Sequence, residues 1–166
     1  MQIMIREFCA NDIAALTELY NHYILGSVIT FDLQPYTPEQ RYQGWMSHYT
    51  HSGRYRLFVA ESDGKPIGYA SSGQFNKKAA YQTSVETSIY LSHDCVGYGT
   101  GSRLYEALFS ALAREDVHRA YAGVTLPNEA SVAIHHKFGF EQVALYKEVG
   151  RKFDRYWDVA WFEKNL

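Results

Sequence analysis

Thr83-Ser84-Val85-Glu86-Thr87-Ser88-Ile89-Tyr90-Leu91, the glycine-rich turn Gly97-Tyr98-Gly99-Thr100-Gly101-Ser102 and the following Arg103-Leu104-Tyr105-Glu106-Ala107-Leu108 decide the fold. The first stretch is β-branched and alternating, as a strand requires. The last is made of strong helix formers. Between them stand three alternate glycines, which let the backbone approach a ligand closely. The first N–H groups of a helix have no intrahelical partner, so a strand, a glycine turn and a helix start together make a site for an anion, and for phosphate above all.

Three phosphate ligands compete for such a turn. A P-loop needs Gly-Lys-Ser/Thr after four spacer residues, and that run is absent. A dinucleotide fingerprint from Gly97 puts Ser102 where the third glycine belongs. The next strand, Ala120–Leu126, ends in Thr125-Leu126-Pro127 with no carboxylate for a ribose. A pyrophosphate such as that of coenzyme A asks only for the backbone nest and the helix N-terminus. The plainer alternative is a connector that binds nothing.

Working outward, residues 2–7 read as a strand. Asn11 is placed to cap a helix whose apolar face is Ile13, Leu16, Leu19, Tyr20, Tyr23 and Ile24, ended by Gly26. An extended piece, Val28–Phe31, leads through Pro35 and Pro38 to a second helix over about residues 38–50. Arg56–Glu61 and Ile67–Phe75 form a hairpin about Asp63-Gly64. After a polar excursion, Asn76–Ala80, a strand runs from Tyr81 to Leu91. Then come a helix over 101–115 with Leu104, Leu108, Ala111 and Leu112 on one face, a strand over 119–125, a short helix Glu129–Phe138, a strand from Gly139-Phe140 to Val149, and a last strand Trp157–Phe162. The pattern predicts one α/β domain over residues 1–166 with a mixed sheet.

Composition narrows the function. Of 166 residues, 46% are apolar and 20% charged, which suits a globular core. A net charge of −2 without a basic run offers no nucleic-acid surface. No apolar stretch is long enough to span a bilayer and no leader-like segment follows Met1, so a cytoplasmic protein is expected. Cys9 and Cys95 lack metal or redox spacing and read as free thiols. His48 and His51 have no ligand partners at metal spacing, H-E-x-x-H and G-x-S-x-G are absent, and no metal is expected.

The order of elements, and the run Ser92-His93-Asp94-Cys95-Val96-Gly97-Tyr98-Gly99-Thr100-Gly101, resemble the GNAT acyltransferases with their Gln/Arg-x-x-Gly-x-Gly/Ala coenzyme A signature. Asn128, Ser131, His135, Gly139 and Phe140 match the spacing of a second signature, Asn-x-x-Ser-x-x-x-aromatic-x-x-x-Gly-Phe. Within that family the chain is similar to the phosphinothricin and methionine sulfone/sulfoximine N-acetyltransferases. The matching pieces are Tyr20-Asn21-His22-Tyr23-Ile24, Phe31, Val85-Glu86-Thr87-Ser88-Ile89-Tyr90-Leu91, His135, Arg151-Lys152-Phe153-Asp154 and Trp157-Asp158. The resemblance implies a mostly antiparallel sheet flanked by helices and splayed at the cofactor site. Two departures stand out. Val96 occupies the position of the usual Gln or Arg, and the loop Phe75-Asn76-Lys77-Lys78-Ala79-Ala80-Tyr81 lacks the arginine and tryptophan of sulfoximine acetylators.

Acetylating an amine needs a base for the ammonium proton, a donor for the carbonyl oxygen and an acid near the leaving thiolate. Glu86 is the candidate base, a carboxylate in an otherwise uncharged strand that shares a face with Ser88 and Tyr90. The alternatives are a solvated edge glutamate and a buried one held by a tyrosine hydroxyl. His135 stands where many family members have a tyrosine acid, so it reads as acid or relay; a solvent-facing histidine is the alternative, better suited to His136. The resemblance implies that the pantetheine arm pairs with Ile89, Tyr90 and Leu91 like an added strand, with an N–H near Leu91 as oxyanion donor. It places the pyrophosphate on Gly97, Tyr98, Gly99, Thr100, Gly101 and Ser102. Asn128 would meet the pantetheine with Ser131 close by; Asn128 is also a candidate helix cap, and one residue can do both.

Phe31 would wall the acceptor pocket, unless it is an exposed loop aromatic. Lys78 would take an acceptor carboxylate as a point charge, and Tyr81 would add a hydroxyl or simply pack. The function expected is transfer of acetyl from acetyl-CoA to the primary amine of a small amino-acid-like substrate by direct attack, with a homodimer by family analogy. A protein N-terminal or lysine acetyltransferase and a non-catalytic acyl-CoA-binding module are the rivals.

Overall fold

The computed structural model describes residues 2–166. Seven strands form one sheet: β1 (Ile3–Glu7), β2 (Leu57–Ser62), β3 (Lys65–Gln74), β4 (Ser84–Leu91), β5 (Arg119–Thr125), β6 (Glu141–Lys152) and β7 (Arg155–Asn165). Their spatial order is β1-β2-β3-β4-β5-β7-β6. Only β4 and β5 run parallel, joined by a crossover through helix α3 (Thr100–Leu112); the other pairs are antiparallel. Helices α1 (Ile13–Gly26) and α2 (Pro38–Gly44) cover one face, and α3 and α4 (Glu129–Lys137) serve the other.

Strand alternation divides the core between these faces. Ala60, Ala70 and Val85 pack with Leu104, Tyr105, Leu108 and Leu112 of α3, and Ile89 and Leu91 lie against the same cluster. On the far side Leu57, Val59 and Tyr69 pack with Leu16 and Met46, and Tyr90 joins them. Each fully buried leucine of α3 contributes about 1.5–3 kcal/mol by leaving water. Tyr105, rather than Ala111, completes the buried face of α3.

Turn chemistry explains the hairpins. Asp63 and Gly64 both adopt positive φ, 51° and 76°, as a two-residue hairpin turn requires. The β6–β7 hairpin turns on Phe153 and Asp154, also at positive φ, and both strands therefore extend well beyond Val149 and Trp157.

Three local expectations are corrected. Asn11 does not cap α1; Ala10–Asp12 form a 3₁₀ turn that leaves Asp12 at the cap position. The buried Asp12 carboxylate is committed instead to a bidentate pair with Arg6, at 2.7 and 2.8 Å, and to the Cys9 N–H. The second helix stops at Gly44, where Trp45 leaves helical geometry before a 3₁₀ turn over Met46–His48. Its start is well specified: Thr37 and Gln40 form a reciprocal capping box with Pro38 in the first turn. Finally, Tyr81 belongs to the 3₁₀ turn Ala79–Tyr81, so β4 begins at Ser84.

Candidate active site

The parallel pair β4–β5 is short. Ser84, Val85 and Glu86 pair with Arg119, Ala120 and Tyr121, and there the ladder ends. Beyond Glu86, β4 stays with β3 while β5 stays with β7, so the sheet opens in a wedge. One edge of β4 from Thr87 onward thus presents backbone N–H and C=O groups with no strand opposite.

Three cavities meet at this fork. The wedge itself holds about 330 Å³ between Glu86–Tyr90 and Ala122–Thr125, with Phe31, Asn128 and His135 on its walls. A second, mostly apolar cavity of about 560 Å³ continues along Ile89–Leu91 to the glycine turn and α4. A third, about 200 Å³, lies on the α1–α2 side and is lined by Glu86, Ser88 and Tyr90 together with Tyr20, Arg41, Trp45 and Tyr69. Ile89, Tyr90, Asn128 and Ser131 line both of the first two, and Glu86 lines both the first and the third.

Glu86 is half-buried and, among the described residues, no side chain or backbone group hydrogen-bonds its carboxylate. Burial alone pushes its pKa above the ordinary 4.5. It shares a face with Ser88 and Tyr90, as the alternation requires, and neither the solvated nor the tyrosine-held alternative is what is found.

At the far end of the apolar cavity the turn is built to leave donors free. Gly99, the cap of α3, sits at φ 75°, and Gly97 at φ 92°, where a side chain is strained. A glycine cap has no side chain to satisfy the first amides of α3, and the buried Thr100 Oγ1 also lacks a partner. Lys137 of α4 donates to Ser102 Oγ at 2.7 Å, bringing a cation to this turn. Val96 is exposed, and Tyr98 is 69% exposed and lines none of the cavities, so only its backbone belongs to the turn. An unpartnered hydroxyl, free amides and a nearby ammonium fit the phosphates of coenzyme A, and the apolar cavity fits its arm.

Asn128 caps α4, its Oδ1 accepting from Ser131 N at 3.1 Å, while its side chain also lines both cavities. His135 is 3% exposed. Its Nδ1 lies 2.6 Å from Ser131 O and its Nε2 lies 3.0 Å from the Tyr105 hydroxyl. A carbonyl accepts only, so Nδ1 carries the hydrogen and Nε2 accepts from Tyr105. Burial lowers the pKa of this imidazole below the ordinary 6.5. His135 therefore lines the wedge with both ring nitrogens engaged, Nδ1 on Ser131 O and Nε2 on the Tyr105 hydroxyl. His136 is exposed, as expected.

The acceptor side differs from expectation. Phe31 does line the wedge; its ring lies over Gly150, where any Cβ would overlap it. The loop carrying it is pinned by Lys152 Nζ on Thr30 O at 2.8 Å and by the Tyr20 hydroxyl, which donates to Asp32 and meets Thr30 Oγ1. Lys78 and Tyr81 line none of the three cavities. The β3–β4 loop folds back so that Phe75 stacks on Tyr121 at 4.5 Å and Tyr81 packs on Phe75, leaving Lys78 in solvent. Among the cavity-lining residues absent from the expectation are Tyr105, Lys137 and Arg41. Of the three, Arg41 left a sequence signal, an arginine four residues before Trp45 in the second helix.

Neither cysteine lines a cavity, and burial raises the Cys95 thiol pKa. Among the described residues no three His, Cys, Asp or Glu side chains converge as metal ligands, and no helix is long and apolar enough to cross a membrane.

Comparison with known proteins places the chain in a family. The sequence profile of the acetyltransferase (GNAT) domain matches residues 5–161. This chain belongs to the GNAT acetyltransferase family. Among relatives of this acetyltransferase, a phosphinothricin N-acetyltransferase of Streptomyces coelicolor is 50% identical over 99% of this chain and 97% of its own. An L-methionine sulfoximine/L-methionine sulfone acetyltransferase of Salmonella typhimurium is 32% identical over 93% and 90%. The crystal structure of a phosphinothricin acetyltransferase from Sinorhizobium meliloti in complex with acetyl-CoA superposes with a TM-score of 0.89 at 30% identity, covering 100% of this chain and 89% of that one.

Proposed function

We propose that this acetyltransferase moves the acetyl group of acetyl-CoA to the primary amine of a small amino-acid-like acceptor, of the phosphinothricin and methionine sulfoximine type, by direct attack within a ternary complex. The observation that carries this is Glu86: an unpaired carboxylate at the strand fork, lining both the wedge and the cavity on the α1–α2 side. The half-buried base takes a proton from an ammonium, directly or through one water, and its raised pKa makes it a better acceptor than an exposed glutamate.

The chain's other groups position and polarise. The unpaired edge of β4 at Ile89–Leu91 lends backbone N–H groups to the pantetheine and to the carbonyl oxygen. Thr100 Oγ1, the first amides of α3 and Lys137 hold the phosphates, and Lys137 supplies the charge that Val96 does not. Tyr105, backed by His135, lines the wedge and is the proton donor we assign to the leaving thiolate. With no thiol on these walls, an acyl-cysteine route has no residue to use. The names of the relatives support the acceptor class.

The decisive experiment measures thiol release from acetyl-CoA with L-phosphinothricin, L-methionine sulfoximine, and peptides with free N-termini or lysines. Turnover with the amino-acid analogues supports the reading; turnover confined to peptides, or acetyl-CoA binding without turnover, overturns it.

The reading includes a homodimer. The outer edge of β6 has no strand beside it and exposes Val143, Leu145, Tyr146 and Val149, a surface suited to a second copy. Sedimentation velocity of the wild type and of Leu145→Glu tests this: a dimer dissociated by the charge supports it, and a monomeric wild type overturns it.

A further inference from the structure

Arg41 is only 9% exposed, yet it forms no ion pair with any described carboxylate. A buried guanidinium without a counter-charge is costly, and most proteins avoid it. Here the flat faces are covered by aromatic rings: Tyr20 lies 3.8 Å from the guanidinium carbon and Trp45 4.1 Å. Cation–π contact of this kind holds the plane but uses none of the N–H donors. Of those donors, Nη2 meets the Tyr69 hydroxyl at 3.3 Å and Nε is buried without a partner. Asp32, the acid group on the adjoining loop, is turned to the Tyr20 hydroxyl at 2.6 Å.

The group therefore sits with its faces clamped and donors to spare. It lines the same 200 Å³ cavity as Glu86 and Ser88. That cavity pairs one unneutralised cation with one unneutralised carboxylate. An α-amino acid carries the complement, an ammonium for Glu86 and a carboxylate for Arg41. A planar fork also matches two carboxylate oxygens in a way an ammonium cannot.

We infer that Arg41 anchors the α-carboxylate of the acceptor, the role expected of the loop lysine Lys78, which lines none of the three cavities. This rests on the reading of a small amino-acid-like acceptor given above. Arg41 is a specificity-determining residue; Glu86 remains the group that moves the proton.

The test compares L-phosphinothricin with the amine that lacks its α-carboxylate, using the wild type, Arg41→Gln and Arg41→Lys. For Arg41→Gln the KM for L-phosphinothricin is expected to rise roughly 10- to 100-fold, the loss typical of a charge-assisted pair. Its kcat/KM for the decarboxylated amine and its KM for acetyl-CoA should stay within about twofold of the wild type, and Arg41→Lys should recover part of the loss. Equal losses on both acceptors would show that Arg41 only stacks and braces α2, overturning the inference; so would no loss on either. Calorimetric binding of L-phosphinothricin to the enzyme with coenzyme A present separates this from the functional reading. If the wild type binds it but transfers nothing, the proposed reaction fails while weakened binding by Arg41→Gln still upholds the anchor. Absent or unchanged binding overturns the anchor. Should Arg41→Gln not fold, Arg41→Lys, which keeps the charge and loses the planar fork, carries the same comparison.

Discussion

Glu86 and Tyr121 are the last residues paired between β4 and β5, so the Glu86 carboxylate lies at the vertex of the wedge. A strand that continued its ladder one step further would have closed the gap over the carboxylate. Losing that pairing is what gives Glu86 access to two cavities at once.

Glu86→Gln is expected to lower kcat by about 10²- to 10⁴-fold, the range of general-base catalysis, with the acetyl-CoA KM within about twofold. Steady-state kinetics with both substrates varied checks it. Activity that survives the substitution would remove Glu86 from the proton transfer.

The same substitution should stabilise the fold near neutral pH. Because burial raises the Glu86 pKa, the folded state holds the proton more tightly than the unfolded chain. Its contribution to stability is full below the unfolded value of 4.5 and is lost as pH rises through the folded value. At pH 7 the ionised carboxylate is a net cost, and Glu86→Gln should raise Tm there but not at pH 4. A variant no more stable than the wild type at pH 7 contradicts this.

His135 titrates with the opposite sign. Its lowered pKa means stability that is full above the ordinary 6.5 and is lost as pH falls through the folded value. His135→Gln should flatten the fall of Tm between pH 7 and pH 5. His135→Phe should also shift the acidic limb of the pH–rate profile through loss of Tyr105's partner. An unchanged profile would confine the histidine to packing.

Lys137→Ala should raise the acetyl-CoA KM several-fold, with kcat for saturated enzyme unchanged, because only an ammonium beside Ser102 is removed. The effect should shrink as salt is added. A salt-independent change would indicate a structural disturbance instead.

Gly150→Ala places a methyl where the Phe31 ring now lies. The acceptor KM should rise while acetyl-CoA binding stays the same. Calorimetry for the donor and kinetics for the acceptor separate the two.

Much of this arrangement could be read from residue order. The alternation of Val85, Thr87 and Ile89 against Glu86, Ser88 and Tyr90 sorts β4 into two faces before any coordinates are seen. Asp63-Gly64 announces its hairpin by residue type. Phe153-Asp154 makes the same kind of turn without glycine, so tertiary pairing of β6 and β7 decides it and the strand ends fall elsewhere than expected. Asn11 looks like a cap, but Arg6, reached only through the fold, commits the neighbouring Asp12 and shifts the helix start. The partners of Tyr105 and Lys137, and the Tyr20 ring over Arg41, lie in other segments, which no local pattern reveals. Lys78 misled for the opposite reason: its chemistry suits a carboxylate, while stacking of Phe75 on Tyr121 carries its loop aside.

Because the glycine turn and α4 lie on one side of the sheet, whereas the clamped arginine and its aromatic rings sit on the other, the proposed donor and acceptor sites are furnished largely by different parts of the chain. Residues of α2 can be exchanged to admit new amines without touching the cavity proposed for the thioester, whereas Tyr20 and Tyr23 of α1 line the wedge and that cavity. Directed variation confined to α2 is therefore the economical route to altered amine selectivity in this scaffold.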